Sequence, residues 1–564
     1  LAVERADVKS ASIDLVGTSR TGENATGVTG LRVIRGGTVY DGSGGAPVTA
    51  DVTIVGDRIA TIGVGGDGAD EIDASGLAVA PGFINMLSWA TESLIEDGRG
   101  QSDVRQGVTL EVFGEGESMG PLNVALAQEL VRQQTNIRYE IEWTTLGEYL
   151  EYLERRGVAP NVASFVGAAT VRAHAIGYDD REPTAAELEQ MKALVRAAMS
   201  EGAMGVGAAL IYPPGCYAQT AELIELARVA TESDGLFTAH LRSEGDRLLE
   251  GLDELIAITH AAGIRAQVHH LKAAGTTNWP KLDAAIEKIE QARKRGLEIT
   301  ANMYTYTAGG TGLSAGMPPW VQEGGADAWR ERLRDPQIRA RVEAEMIVSN
   351  DKWENLYLLA GPENIRFTEF ASDALRPYTG RTLADVARER GLSPAQTAMQ
   401  LVLEDGSRVE AAFTLMSEEN VRREVGLPWM SFCSDSIAAA PEGVFLQLRP
   451  HPRAYGSFAR LLGRYVRDEG VAPLEDAVRR LTSLPADNLR LHDRGRLHPG
   501  YFADIVVFDP EAVADNATFD DPHQYASGVV HVLVNGTPVI RDGEHTGALP
   551  GRVVRGRAWQ PRRD

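Results

Sequence analysis

Cysteine is nearly absent: Cys216 and Cys433 are the two in 564 residues. A pair in so long a chain builds no disulfide scaffold, and no C-x-x-C motif offers a zinc ribbon or redox pair. Apolar runs stay far below the ~18 residues a membrane helix requires, which predicts no transmembrane segment. Positive charge is in deficit, with 56 Lys and Arg against 79 Asp and Glu, a net −23. That field repels nucleic acid and anionic membrane, so neither is an expected partner. No G-x-G-x-x-G opens a helix after a strand, so a dinucleotide-binding sheet has no support. None of the 11 histidines lies before residue 174. Leu1 is not followed by the basic stretch and apolar core of a signal peptide. A soluble protein is expected, cytoplasmic, or periplasmic if a presequence was removed.

What remains is an ordinary globular composition, 43% hydrophobic and 24% charged. Residues 1–30 are polar and read as a poorly ordered lead-in. From Leu31 short β segments alternate with Gly-centred turns: 31–42 reads as strand, turn, strand, and 51–63 as two more strands about Gly56-Asp57. The far end has the same texture at 503–509 and 529–536. Both ends are therefore expected to form one small β-sandwich domain, residues 31–80 plus 490–564.

The middle, 81–489, has a different rhythm. Helix, glycine and apolar strand recur at 227–240, 257–270 and 291–302, each glycine standing where a helix stops. Strand ends fall about 30 residues apart, the size of a βα unit. Repeated βα units predict an α/β fold with a parallel sheet, and a (β/α)8 TIM-like barrel is the expected closure. Chemistry then sits at strand C-terminal ends, where His240, His270, Asn302 and Asp435 fall. Residues 308–365, with Pro318-Pro319-Trp320 and Gly324-Gly325, interrupt the rhythm as an inserted lid region.

His240 and His270 end neighbouring strands and converge over the barrel mouth. Neutral imidazole suits Zn²⁺, with carboxylate or thiolate completing the set. Two hydrogen-bonded polar residues without metal are the plain alternative. His269 is expected to point away, because successive strand residues face opposite ways. His174 could line the mouth without a fixed place, and Cys433 reads as a small buried residue.

At this point the chain resembles the D-aminoacylase (N-acyl-D-amino-acid deacylase) branch of the amidohydrolase superfamily. The resemblance runs from about Leu31 to the C-terminal β region. It is carried by Ala80-Pro81-Gly82-Phe83-Ile84, Gln106-Gly107-Val108-Thr109, His240-Leu241-Arg242-Ser243-Glu244-Gly245, His270-Leu271-Lys272, Ser434-Asp435 and His451-Pro452-Arg453-Ala454-Tyr455-Gly456. Leu481–Ala486, Asp493–Leu497 and Pro499–Asp504 add to it. The resemblance implies a (β/α)8 barrel with a small β-sandwich, one tightly bound zinc on His240, His270 and a cysteine, and an aspartate matching Asp435 as general base and acid. The implied reaction is hydrolysis of the amide bond of an N-acyl amino acid, with metal-bound water as nucleophile.

Two departures matter. The family's His-x-His after Pro-Gly-Phe-Ile is replaced by Asn85-Met86-Leu87-Ser88-Trp89, so a second metal position is absent or rebuilt. The family cysteine is missing too, and the local sequence is Phe113-Gly114-Glu115-Gly116-Glu117. Glu115 is the candidate third ligand, since carboxylate oxygen binds zinc well. Glu117 is the runner-up, and Glu111 lies further back within the strand. Lys272, Tyr304, Tyr306 and Arg453 are the candidate substrate-binding residues, the cations for a carboxylate.

Three other readings stay open. Gly312-Leu313-Ser314-Ala315-Gly316 matches a serine-hydrolase elbow, although Pro318 opposes the helix that must follow. A dipeptidase or cyclic-amide hydrolase would use the same architecture. A relative that lost its metal would be a non-catalytic binding protein. The acyl group, side chain and chirality of the substrate are not legible, and oligomeric state, a homo-oligomer included, is open.

Overall fold

The computed structural model describes residues 31–561 except 67, 69 and 351. The lead-in expected at 1–30 lies outside the described residues. Both chain ends feed one nine-stranded sheet. Leu31–Val39, Val48–Val55, Arg58–Gly63, Asp70–Asp73 and Ala78–Pro81 come from one end. Ile505–Phe508, Val529–Val534, Thr537–Arg541 and Glu544–His545 come from the other. The seam is antiparallel, with Pro81 opposite Ile505 and Ala78 opposite Phe508. Alternate residues, among them Ile34, Val52, Ile54, Val79, Ile505, Val507 and Leu533, fill its core. The turn expected inside 31–42 is not formed. Leu31–Val39 is one strand with a bulge between Ile34 and Gly37, which Gly36 permits at φ 64°.

Ala78–Pro81 leads directly into a ring of parallel strands. In order these are Phe83–Asn85, Val108–Phe113, Asn161–Ser164 continued by Val166–Gly167, Gly205–Ala209, Leu236–His240, Arg265–Val268, Ile299–Met303 and Met430–Phe432. The Met86 N–H reaches the Phe432 carbonyl at 3.4 Å, joining last strand to first. Helices Thr220–Thr231, Leu248–Ala262 and Leu282–Lys294 cover the outside. Leu248–Ala262 packs Leu252, Leu255 and Ile258 inward and stops at Gly263, φ 65°. The fold is α/β of TIM-barrel type.

A buried junction ties sheet to ring. Arg494 pairs with Asp504 and reaches Asn535 Oδ1 at 3.0 Å. Asn535 Nδ2 donates to Asn161 Oδ1, on the third ring strand, at 2.8 Å.

Between Met303 and Met430 the chain builds a separate antiparallel sheet, with Glu410–Thr414 between Ala308–Gly312 and Ile365–Glu369. Val321, Trp329, Leu333, Val342, Phe367 and Met399 give this region its own core.

Candidate metal centre

Glu115 follows the second ring strand between two glycines that aim it. Gly114 takes φ 100°, and a Cβ there would lie 2.3 Å from the Phe165 carbonyl oxygen. Gly116 takes φ 72°, and its Cβ would lie 2.5 Å from Ala209 Cβ. The chain thus passes close under strands three and four and lifts the carboxylate into the mouth. His240 is the last residue of strand five. His270 lies just past strand six at φ 31°, its N–H held by Asn302 Oδ1 at 2.6 Å. Asp435 follows strand eight at φ 48°, with its N–H on the Leu87 carbonyl at 2.9 Å. Non-glycine residues rarely adopt such φ, and these two are held there by specific partners.

The three sequence-predicted ligands are brought together. His270 Nε2 lies 2.6 Å from Glu115 Oε1. His240 Nδ1 lies 3.1 Å from His270 Nε2 and 3.5 Å from Glu115 Oε1. All three side chains are buried, and their donor atoms lie within 4.8 Å of one another. Ligands on a tetrahedral zinc stand roughly 3.3 Å apart, so the donor set fits one ion. Glu117 is exposed and outside this cluster. Glu111 is buried in its strand and accepts from Asn85 Nδ2 at 2.8 Å.

A further carboxylate backs His270 at hydrogen-bond distance and stands near His240, whose Nε2 has no hydrogen-bond partner. Glu244 Oε1 is 3.0 Å from His270 Nδ1, and Oε2 is 3.6 Å from His240 Nε2. Such a partner orients the His270 imidazole and raises its basicity. Glu244 stands four residues after His240 in the same motif, and that spacing is its one signal in the sequence. Its backbone N–H is held in turn by buried Glu354 at 2.8 Å, and Glu354 also accepts from Ser243 at 2.6 Å. Burial lifts the Glu354 carboxyl to about 7. Burial and the Lys272 charge work against a proton on His270, yet Glu115, Glu244 and Asp435 outweigh them and hold it at about 9. Burial raises Asp435, against the Arg453 charge.

The candidate substrate residues separate into two groups. Arg453 Nη1 sits 2.7 Å from Asp435 Oδ2, and its Cζ lies 4.5 Å from the centre of the Tyr304 ring. Arg453 Nε is buried without a hydrogen-bond partner. Lys272 Nζ lies over the same Tyr304 ring at 5.7 Å and donates to Glu244 Oε1 at 2.7 Å. Tyr306 turns elsewhere, donating to Asp515 Oδ2 at 3.1 Å beneath Arg460. His451 positions Arg453 by accepting its backbone N–H at 3.0 Å.

The remaining expectations are placed as follows. His269 bonds Asn302 Nδ2 at 3.0 Å, and burial lowers it to about 3. His174 lies on helix Ala168–Ile176, outside the metal cluster. Cys433 is buried against Asn302. Leu313–Gly316 is a four-residue 3₁₀ turn, not the start of a catalytic helix, so the serine-elbow reading has no structural support. Trp89, which sequence reasoning passed over, directs its indole N–H at both Glu115 and Asp435.

Such an arrangement, at the strand ends of a TIM-type α/β fold, is the working end of a metal-dependent hydrolase. The chain belongs to the amidohydrolase family, whose sequence model matches residues 70–540. It is 33% identical to the D-aminoacylase of Alcaligenes xylosoxydans xylosoxydans, over 93% of this chain and 97% of that one. The crystal structure of N-acyl-D-glutamate deacylase from Bordetella bronchiseptica, complexed with zinc and a phosphonate mimic of the tetrahedral intermediate, matches at TM-score 0.77 and 32% identity. That match covers 93% of this chain and 99% of the other. A D-aminoacylase structure that addresses its binuclear metal centre, with one-metal activation and second-metal attenuation, matches at TM-score 0.76, 32% identity and the same coverages. The chain is therefore an enzyme, a hydrolase of amide bonds. No helix among the described residues is long and apolar enough to cross a membrane.

Proposed function

We propose that this chain is a zinc-dependent deacylase of N-acyl-D-amino acids with one zinc per chain, held by Glu115, His240 and His270. The convergence of those three donor atoms beside Asp435 carries the reading. When bound, zinc supplies Lewis-acid polarisation of the amide carbonyl and a lowered water pKa. Asp435 accepts the proton of the attacking water and returns it to the leaving amine nitrogen. Arg453, with an unpartnered buried Nε–H, and Lys272 flank Tyr304. Paired at present with Asp435 and Glu244, they are the cations assigned to receive the amino-acid carboxylate, with the Tyr304 hydroxyl beside them. Tyr306 holds that wall in place through Asp515 and Arg460.

The domain reading follows the same lines. Residues 31–80 with 490–564 form the β-sandwich unit, and 81–489 the barrel. Residues 308–365 belong to a lid that the separate sheet and core extend to Thr414.

The test is zinc content per chain, followed by hydrolysis of paired N-acetyl-D- and N-acetyl-L-amino acids. We expect near one zinc, D-selective release of the amino acid, loss of both zinc and activity in Glu115→Ala, and retention in Glu117→Ala. Wild type that takes up no zinc and hydrolyses neither series overturns the assignment.

A further inference from the structure

Trp89 is the residue that most alters the centre. It stands just past the first ring strand, with its backbone N–H on the Ser436 carbonyl at 2.9 Å. The neighbouring Asp435 N–H returns to the Leu87 carbonyl, also at 2.9 Å, so the two loops hold each other. The indole N–H lies 3.2 Å from Glu115 Oε2 and 3.1 Å from Asp435 Oδ1. Each carboxylate is thereby divided. Glu115 turns Oε1 to the histidines and Oε2 to the indole. Asp435 turns Oδ2 to Arg453 and Oδ1 to the indole.

Two carboxylate oxygens that converge on one point make a place for a cation. Here an uncharged donor fills it. Indole nitrogen donates and has no lone pair to give a metal, and Leu87 offers no ligand atom. A second ion would have to displace the ring and would find two oxygens and no imidazole. In the D-aminoacylase relative, a second metal attenuates activity.

We propose that Trp89 commits this centre to a single metal and is a positioning residue for Asp435, its N–H standing where a second cation would otherwise bridge Glu115 and Asp435. This rests on the deacylase reading above. A fixed donor cannot be diluted away or exchanged, so Asp435 keeps one orientation at every zinc concentration.

The experiment equilibrates wild type, Trp89→Phe and Trp89→His with tenfold excess zinc, removes free metal, counts zinc per chain, and measures kcat and KM across added zinc. Wild type should retain one zinc, with kcat flat as zinc is added. Trp89→Phe keeps the bulk and loses the N–H. It should retain one zinc and lose on the order of 10–100-fold in kcat, as loss of a supporting hydrogen bond does, with KM little changed. Trp89→His introduces a ligand nitrogen at the point the indole occupies. It should take up close to two zinc ions and become inhibited by added zinc. Two zinc ions in wild type, wild-type kcat in Trp89→Phe, or a single zinc with no inhibition in Trp89→His each overturn the proposal. Absence of zinc from wild type removes the deacylase reading itself, a result distinct from all three.

Discussion

At the scale of the residue, the centre is a contest between burial and charge. Glu115 is buried, which would raise its carboxyl, but the two imidazoles hold it well below its ordinary value. It stays ionised at every working pH. His270 titrates at about 9 in the metal-free chain, so near neutrality it carries a proton that zinc must displace. Zinc affinity should therefore climb about tenfold per pH unit below that value from this group and level off above it. Competition against a chelator at stepped pH measures this, and a flat affinity from about pH 6 to 8 would contradict it. The ligand residues were legible in the sequence because few side chains bind zinc, and those few sat at strand ends. Trp89, Glu244 and Glu354 were not. They act by hydrogen bonds that many residue types can make, so type alone gives no signal.

At the scale of the element, strand ends aim side chains only if the backbone leaves the strand correctly. Gly114 does this for Glu115, combining a left-handed φ with contact against Phe165. Gly114→Ala should cost at least ~1–3 kcal/mol from the backbone conformation alone, and it should lower zinc content by moving Glu115. Thermal unfolding and metal analysis would show both, and an alanine variant with wild-type Tm and zinc would refute this account. Strands five to seven were legible because helix, glycine and apolar run repeated. Phe83–Asn85 and Met430–Phe432 have three residues each. Such pieces are too short to carry a periodicity, and they become strands only through their neighbours. The bulge in Leu31–Val39 was hidden for a related reason, since Gly36-Gly37 reads equally as a turn.

At the scale of the whole molecule, two distant stretches of chain must find each other. The matching texture of the two ends made their shared sheet legible. The separate sheet after Met303 was not: its middle strand, Glu410–Thr414, lies far along the chain from Ala308–Gly312, and no local pattern announces that pairing. Arg494 and Asp504, both buried, hold the terminal sheet to the ring. Arg494→Ala leaves Asp504 buried without its cation and should cost about 3–5 kcal/mol. Urea unfolding would measure the loss, while kcat at low temperature should persist because the junction lies away from the strand-end mouth. An unchanged midpoint would mean that Asn161 and Asn535 suffice.

The seam between Ala78–Pro81 and Ile505–Phe508 also bears on the order of events during synthesis. The strand that leads into the ring is made long before its antiparallel neighbour, with the whole ring between them in the chain. Until that neighbour emerges, the edge of Ala78–Pro81 that later meets Ile505–Phe508 has open hydrogen-bonding groups, a condition that invites wrong partners. The nascent chain carries that edge unpaired while residues 82–504 are made, so the terminal sheet closes only after the ring it abuts has been synthesised.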